Sequence, residues 1–389
     1  MDIFLLSAVR TPVGKFLGEL SEVPAPRLGA VALKEALARA GIAPDRVDEV
    51  IFGNVVQAGV GQAPARQAAL FAGLPDTVPA YTVNKVCGSG LKAVMLAAQA
   101  IKAGDAEVVA AGGFESMSLA PHLLERSRTG LKYGDGKLVD ALIKDGLWCA
   151  FENWPMGDAA EHIATKCNVS RADQDRFSAQ SHQRAAAAWA GGAFATEVVP
   201  VTVGSGPKAR TVTKDEGIRA DSTAEGLGKL RPAFKPDGTV TAGNASQLSD
   251  GAAAVVVASE KAARGGKPLA RIVSYATSGV APKDIFIAPV SAVRMALDKA
   301  KLSLKDIDLF ELNEAFASQA LACNQGLELD EAKVNVNGGA VALGHPIGAS
   351  GARVLTTLVH ALAARGKRYG VASLCLGGGN AVAMVVERV

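Results

Sequence analysis

Val83-Asn84-Lys85-Val86-Cys87-Gly88-Ser89-Gly90 joins the end of an apolar segment to the start of a helix. Beyond it, Leu91–Ala103 places Val94, Ala97, Ala98 and Ile101 on one face, and Gly104 closes the segment as a helix C-terminal glycine does. A strand, a glycine turn and a helix in succession are the unit of an α/β fold. The flanking sequence continues that rhythm. Ile3–Leu6 predicts a short strand. Ala30, Leu33, Leu37 and Ala40 recur at helical spacing before Gly41. Val50–Phe52 predicts a buried strand ending at Gly53-Asn54, and Val108–Ala111 predicts another running into Gly112-Gly113.

The last third of the chain repeats the first. Asp48-Glu-Val-Ile-Phe-Gly-Asn54 resembles Asp308-Leu-Phe-Glu-Leu-Asn313. Val83–Gly90 resembles the run from Val334-Asn335 through the glycines to His345. Val108-Val-Ala-Ala-Gly-Gly113 resembles Val371-Ala-Ser-Leu-Cys375-Leu-Gly-Gly. The three matches keep the same order, and Asn54 precedes Cys87 by nearly the interval that separates Asn313 from His345. Two similar α/β halves about a pseudo-twofold axis follow. Between them, from about Leu119 to Gly243, regular alternation fades. This stretch holds Trp148, Trp154 and Trp189, a charged run from Lys208 to Lys235, and helical patterns at Ala159–Thr165 and Gln174–Trp189. It is predicted to be an insertion.

Composition narrows the function. The 389 residues are 49% hydrophobic and 20% charged, which suits a folded chain with a large core. The net charge of +3, from 41 Lys+Arg against 38 Asp+Glu, argues against a nucleic-acid partner. Glycine is abundant and aromatic residues are few, as in α/β enzymes with tight helix–sheet packing. The longest uncharged stretch near the C-terminus, Gly370–Val386, carries Ser373, Asn380 and four glycines, so no membrane span is expected. Met1–Arg10 has no basic start and predicts a first strand, not a signal peptide. The five cysteines are odd in number and none is spaced C-x-x-C. Neither a disulfide framework nor a metal site is expected, and a reducing cytoplasm fits.

Four residues stand where chemistry is expected. Cys87 opens a helix, whose unpaired N–H groups and dipole lower a thiol pKa; the alternative is a small buried hydrophobe. His345 lies in Asn337-Gly-Gly-Ala-Val-Ala-Leu-Gly-His-Pro-Ile-Gly-Ala-Ser-Gly351, where small neighbours leave room for a ligand beside a general base. Cys375 ends a strand at Gly377-Gly378-Gly379, where α/β sheets place ligands. Asn313, in Asn-Glu-Ala-Phe316, suits either a held water or carbonyl oxygen or a helix N-cap. The other histidines, His122, His162, His182 and His360, and the cysteines Cys149, Cys167 and Cys323 read as structural. Gly88-Ser-Gly90-Leu-Lys-Ala93 fits the dinucleotide pattern G-x-G-x-x-A, but so does Gly204-Ser-Gly206-Pro-Lys-Ala209 inside the insertion, and no acidic residue sits about 20 residues after Gly88 at the end of a following strand.

Val83–Gly90, Gly112-Gly-Phe-Glu-Ser-Met-Ser118, Asn313-Glu-Ala-Phe316, Gly344-His-Pro-Ile-Gly-Ala-Ser-Gly351 and Cys375-Leu-Gly-Gly-Gly379 closely resemble the thiolases, nearest to the bacterial acetyl-transferring type. The likeness runs from about Ile3 to Val386. It implies two βαβαβαββ halves in a five-layer αβαβα arrangement with an inserted loop domain that binds coenzyme A. The corresponding division is 1–117 with 247–268 for the first half, 118–246 for the loop domain and 269–389 for the second half. A homotetramer or homodimer is also implied.

The resemblance further implies that Cys87 takes the acyl group, His345 is its base, and Cys375 removes a proton from the methyl carbon of acetyl-CoA. Asn313 would hold a water that forms one oxyanion hole with His345. The N–H groups of Cys87 and Gly377 would form the other. Arg219 matches a residue that meets the nucleotide of coenzyme A, Ser246 one near the pantetheine, and Met156, Ala233, Phe234 and Phe316 apolar walls. Two positions depart from the family: Pro155 stands where a His is common, and Gly226 where a Ser is. Coenzyme A thioesters are substrates, and no separate cofactor is implied. The implied reaction condenses two acetyl-CoA to acetoacetyl-CoA and coenzyme A, and runs in reverse. The alternatives are a broad-chain 3-ketoacyl-CoA thiolase, a ketoacyl synthase, a non-catalytic acyl-CoA or sterol carrier, and a nicotinamide oxidoreductase resting on Gly88–Ala93.

Overall fold

The apolar segments of the first third fold as β1 (Ile3–Arg10), α1 (Ala25–Ala40), β2 (Glu49–Gly53), α2 (Pro64–Phe71), β3 (Ala80–Val83), α3 (Ser89–Ala103) and β4 (Val108–Ser116) in this computed structural model, which describes residues 1–389. The following segment contributes α4 (Met156–Lys166) and α5 (Arg171–Ala190) among short hairpins and turns. Strand β5 (Ser249–Ser259) then returns to the first half. The second half is β6 (Ala270–Gly279), α6 (Ala288–Ala300), β7 (Leu309–Leu312), α7 (Ala317–Leu327), α8 (Ile347–Ala364), β8 (Tyr369–Leu376) and β9 (Asn380–Arg388). Strand β5 carries no alternation because all its residues are buried, as in a strand covered on both faces.

The strand order is β7-β8-β9-β6-β1-β5-β4-β2-β3, with Gly14–Lys15 pairing along β5 as a tenth strand. Outward from the centre, β1-β5-β4-β2 in one half corresponds to β6-β9-β8-β7 in the other. The parallel neighbours β2 and β3 have their counterpart in a single bridge between Phe310 and Val334. The two half-sheets join through only two residue pairs, Phe4 with Arg271 and Leu5 with Ala270.

The repeat extends to single hydrogen bonds. Asp48 accepts from the N–H groups of Glu107 and Val108, and Asp308 accepts from those of Arg368 and Tyr369. Ser7 donates to the carbonyl of Ala36 and Ser274 to that of Ala296, each beside a bulge in its strand. A polar group in the same place in both halves satisfies the corresponding backbone atoms.

Apolar faces set the layers. Leu28, Leu33 and Leu37 of α1 pack on one side of the first half-sheet, against Phe52 and Phe114. Leu91, Val94 and Ile101 of α3 share a central cluster with Val354, Leu358 and Leu362 of α8. Val293 and Leu297 of α6 cover the far side of the second half-sheet with Phe310 and Val371. The result is five layers, helix-sheet-helix-sheet-helix. Helix α8 is long and apolar enough to cross a membrane by composition, yet 83% of it is buried as the core helix of the central layer.

The glycines of the G-x-G-x-x-A pattern serve this layer. A methyl group on Gly90 would sit 2.7 Å from the backbone nitrogen of Ala352, and one on Gly351 would collide with the backbone nitrogen of Leu91. Helices α3 and α8 thus touch backbone to backbone, and no space is left there for a pyrophosphate. The second match, at Gly204, lies in the turn of a hairpin formed by Val201–Val203 and Arg210–Val212. Both observations remove the dinucleotide reading. Gly351→Ala is expected to destabilise the protein by about 1–3 kcal/mol through overpacking, read as a lower midpoint in urea unfolding. An unchanged midpoint would show that the crossing is looser than described.

Candidate active site

The turn that presents Cys87 is held in a costly conformation. Val86, just before it, has φ of 48°, in the left-handed region that β-branched residues avoid. Ser89 pins the turn: its hydroxyl accepts from the N–H of Lys85 at 2.8 Å and donates to the carbonyl of Val86 at 2.6 Å. Asn84 accepts from the N–H of Val86. Cys87 is thereby set at the mouth of α3. In the second half His345 stands two residues before α8, so the same turn of the repeat delivers a thiol from one side and an imidazole from the other.

Both open onto one cavity of about 1110 Å3, whose lining includes Cys87, His345, Cys375 and Gly377. The backbone N–H groups of Cys87 and Gly377 lie on the side of the Cys87 sulfur where they favour its thiolate. Burial outweighs those two donors and pushes the thiol up to about 12, with the nearby Glu115 adding to the rise. The helix start therefore does not produce a resting thiolate, contrary to the expectation from position alone. Cys87 is a neutral thiol that needs a base. Burial likewise pushes Cys375 well above the ordinary thiol range, and Cys87 contributes to that shift.

The base is at hand. Burial, reinforced by the positive charge of Arg353, lowers His345 to about 3 and keeps its imidazole neutral. The hydroxyl of Ser350 donates to the carbonyl of Pro346 at 2.9 Å, so at 2.6 Å from His345 it accepts from Nδ1–H. Nε2 is then the unprotonated nitrogen. Asn313 lies with its Nδ2 3.4–3.5 Å from the imidazole nitrogens. It does not cap a helix: α7 begins four residues later, with Phe316 at the N-cap position.

Of the other residues singled out in the sequence, Met156, Ser246, Phe234 and Phe316 line the cavity, as does Pro155. Ala233 and Arg219 do not. Both are exposed, and the Arg219 backbone N–H donates to Nδ1 of the buried His182. The sequence placed Ala233 in an apolar wall, but its backbone is paired to Val240 and its side chain faces outward. Cys149, read as structural, is buried yet lines the cavity within the hairpin Trp148–Cys149/Trp154–Pro155. Cys323 is buried against the carbonyl of Phe286, as a structural cysteine would be.

Two groups carried no motif of their own. Ser350 could be read only as part of the small-residue run after His345. Glu115 lies within Gly112–Ser118, but nothing in one sequence shows that its carboxylate accepts from Asn54 Nδ2 at 2.7 Å and from the N–H groups of Val55, Val56 and Gly348. It ties the end of β2 to the first turn of α8. Burial raises it to about 7.

Residues 3–261 match the family described as Thiolase, N-terminal domain, and residues 266–388 match Thiolase, C-terminal domain. This chain belongs to the thiolase family. The thiolase is 54% identical to an acetyl-CoA acetyltransferase of Cupriavidus necator, over 100% of this chain and 99% of the relative. It is 55% identical to one of Escherichia coli, over 99% and 98%. Its fold matches a crystal structure of the Bacillus anthracis acetyl-CoA acetyltransferase with a TM-score of 0.98 at 45% identity, covering 100% of this chain and 99% of that one.

The depressed His345 has a measurable consequence for this thiolase. An ordinary imidazole takes its proton near 6.5, whereas folded His345 does so near 3. Between those values the unfolded chain binds a proton that the folded chain refuses, so this site lowers stability as pH falls through the window. The wild type should lose stability relative to His345→Asn by up to about 1.4 kcal/mol per pH unit below 6.5, read from urea midpoints. A difference that does not vary with pH would mean that His345 ionises freely in the fold.

Proposed function

We propose that this thiolase is an acetyl-CoA C-acetyltransferase, which condenses two acetyl-CoA to acetoacetyl-CoA and coenzyme A and also cleaves in reverse. The convergence of Cys87, His345 and Cys375 on one cavity, beside the backbone of Gly377, carries this reading. A carrier has no use for two thiols and a base at one floor.

In the first half-reaction the Cys87 sulfur attacks the acetyl carbon as its proton passes to His345 Nε2. The carbon–sulfur bond to coenzyme A breaks, and the departing thiolate takes the Cys375 proton. The Cys375 thiolate then removes a proton from the methyl group of a second acetyl-CoA. The resulting carbanion attacks the acetyl carbon on Cys87, the bond to Cys87 breaks, and His345 returns its proton to that sulfur. Sulfur replaces sulfur in the first step, and all protons are restored at the end.

The N–H groups of Cys87 and Gly377 would stabilise the oxyanion on the Cys87-bound acyl group. Asn313, through a held water, and His345 would stabilise the enolate oxygen. Ser246, Met156, Phe234 and Phe316 would border the pantetheine and acyl group, and exposed Arg219 would meet the nucleotide outside the cavity.

A broad-chain 3-ketoacyl-CoA thiolase is the second reading, favoured by Pro155 in the cavity wall, where it can donate no hydrogen bond. A homodimer or homotetramer is proposed as well. The edge strand β3 leaves Tyr81 39% exposed, and the segment after β4 exposes Leu119, Leu124, Leu131 and Leu138, apolar surface suited to a second copy.

Thiolysis of 3-ketoacyl-CoAs from four to ten carbons tests the reading. Activity should fall off beyond four carbons, and Cys87→Ala should abolish it. Preference for long chains would transfer the assignment to the broad-chain enzyme, and full activity in Cys87→Ala would overturn the mechanism. Asn313→Ala should reduce kcat by roughly 100- to 1000-fold, the usual cost of one oxyanion donor.

A further inference from the structure

Arg353 is 2% exposed, deep in the central layer, where an arginine is costly unless it is paired. Its nearest carboxylate, Glu311, is 3.8 Å away, and neither oxygen of Glu311 has a direct hydrogen-bond partner. Within the protein, the guanidinium has one hydrogen-bond acceptor, Asn313 Oδ1, at 3.5 Å from Nη2. Arg353 and Ser350 are three residues apart on α8 and so share a face of that helix. Ser350 holds His345, and Arg353 faces Asn313.

We propose that Arg353 is a positioning residue that fixes which end of the Asn313 amide faces the water that would meet the reacting oxygen. A guanidinium carries only donors, so the amide atom turned toward it must be the oxygen. Nδ2 is then forced to the opposite side, toward His345, where it would donate to the held water and leave that water's own protons for the developing oxyanion. Without Arg353 only the long 3.4 Å contact of Nδ2 with His345 Nε2 resists turning the amide over, because oxygen and nitrogen are nearly equal in size and the terminal torsion is broad. The turned-over amide would present an acceptor to that water and draw away a proton meant for the oxyanion. The proposal rests on the assignment of Asn313 to the oxyanion hole.

A double-mutant cycle measures it. Thiolysis kcat and the KM for coenzyme A are compared in wild type, Arg353→Met, Asn313→Ala and the double variant, each checked for a cooperative thermal transition. Arg353→Met should lower kcat by about 10- to 100-fold, less than loss of the donor itself, and leave KM within about twofold. In the Asn313→Ala background the same substitution should change kcat by less than about twofold, since no amide remains to orient.

An equal loss in both backgrounds, or no loss in the wild-type background, overturns the proposal. If Arg353→Met does not fold, Arg353→Gln runs the same cycle, because glutamine offers either a donor or an acceptor and no longer dictates the amide. Full kcat in Asn313→Ala alone would instead remove the oxyanion assignment on which the proposal stands, so the two failures are told apart.

Discussion

The site depends on one contact between two helices that carry no side chain at their crossing. At Gly90 and Gly351, α3 and α8 meet backbone to backbone, and any added methyl group would strike the other helix. Because each helix follows directly on a reactive residue, this approach sets the distance between Cys87 and His345. A wider crossing would separate thiol from base. The glycines that imitate a nucleotide-binding pattern serve this packing. Glu115 braces the arrangement from beneath, since its carboxylate gathers the end of β2 and the first turn of α8.

The same burial that packs the central layer sets the electrostatics. Removing water raises the Cys87 thiol and lowers the His345 imidazole, so both are uncharged at rest. No standing thiolate–imidazolium pair is maintained, and charge is created only as the acyl group arrives. Donors already in place then matter most: the N–H groups of Cys87 and Gly377, and the amide of Asn313. They need no rearrangement at the moment when charge develops.

The two halves use one scaffold for different ends. Asp48 and Asp308 do the same structural work, as do Ser7 and Ser274. The equivalent asparagines have diverged. Asn54 is spent on Glu115, within the support of the site, while Asn313 is buried between His345 and Arg353. Likewise the turn before one helix presents a thiol and the turn before the other an imidazole. A duplicated fold supplies two similar frames facing each other, and substitution in each makes the facing groups complementary.

Much of this was legible in the chain itself. The repeat, the strand–glycine–helix units, and Cys87, His345 and Cys375 could be marked because local spacing and small residues record them. Met156, Ser246, Phe234 and Phe316 also reached the cavity wall, whereas Ala233 did not, since the neighbour that faces inward differs from it by only one position. Strand β5 showed no alternation because both its faces are covered. Tertiary structure alone decided the rest. The raised thiol depends on how much protein surrounds the sulfur, which no motif states. Arg353 and Glu115 act through partners distant in sequence, and Ser350 acts on a near neighbour, His345, whose ring only the fold turns toward it. Local sequence determines which elements form and which groups they can offer. Solvent exclusion and long-range hydrogen bonds, which exist only once the layers close, determine the protonation and orientation of those groups.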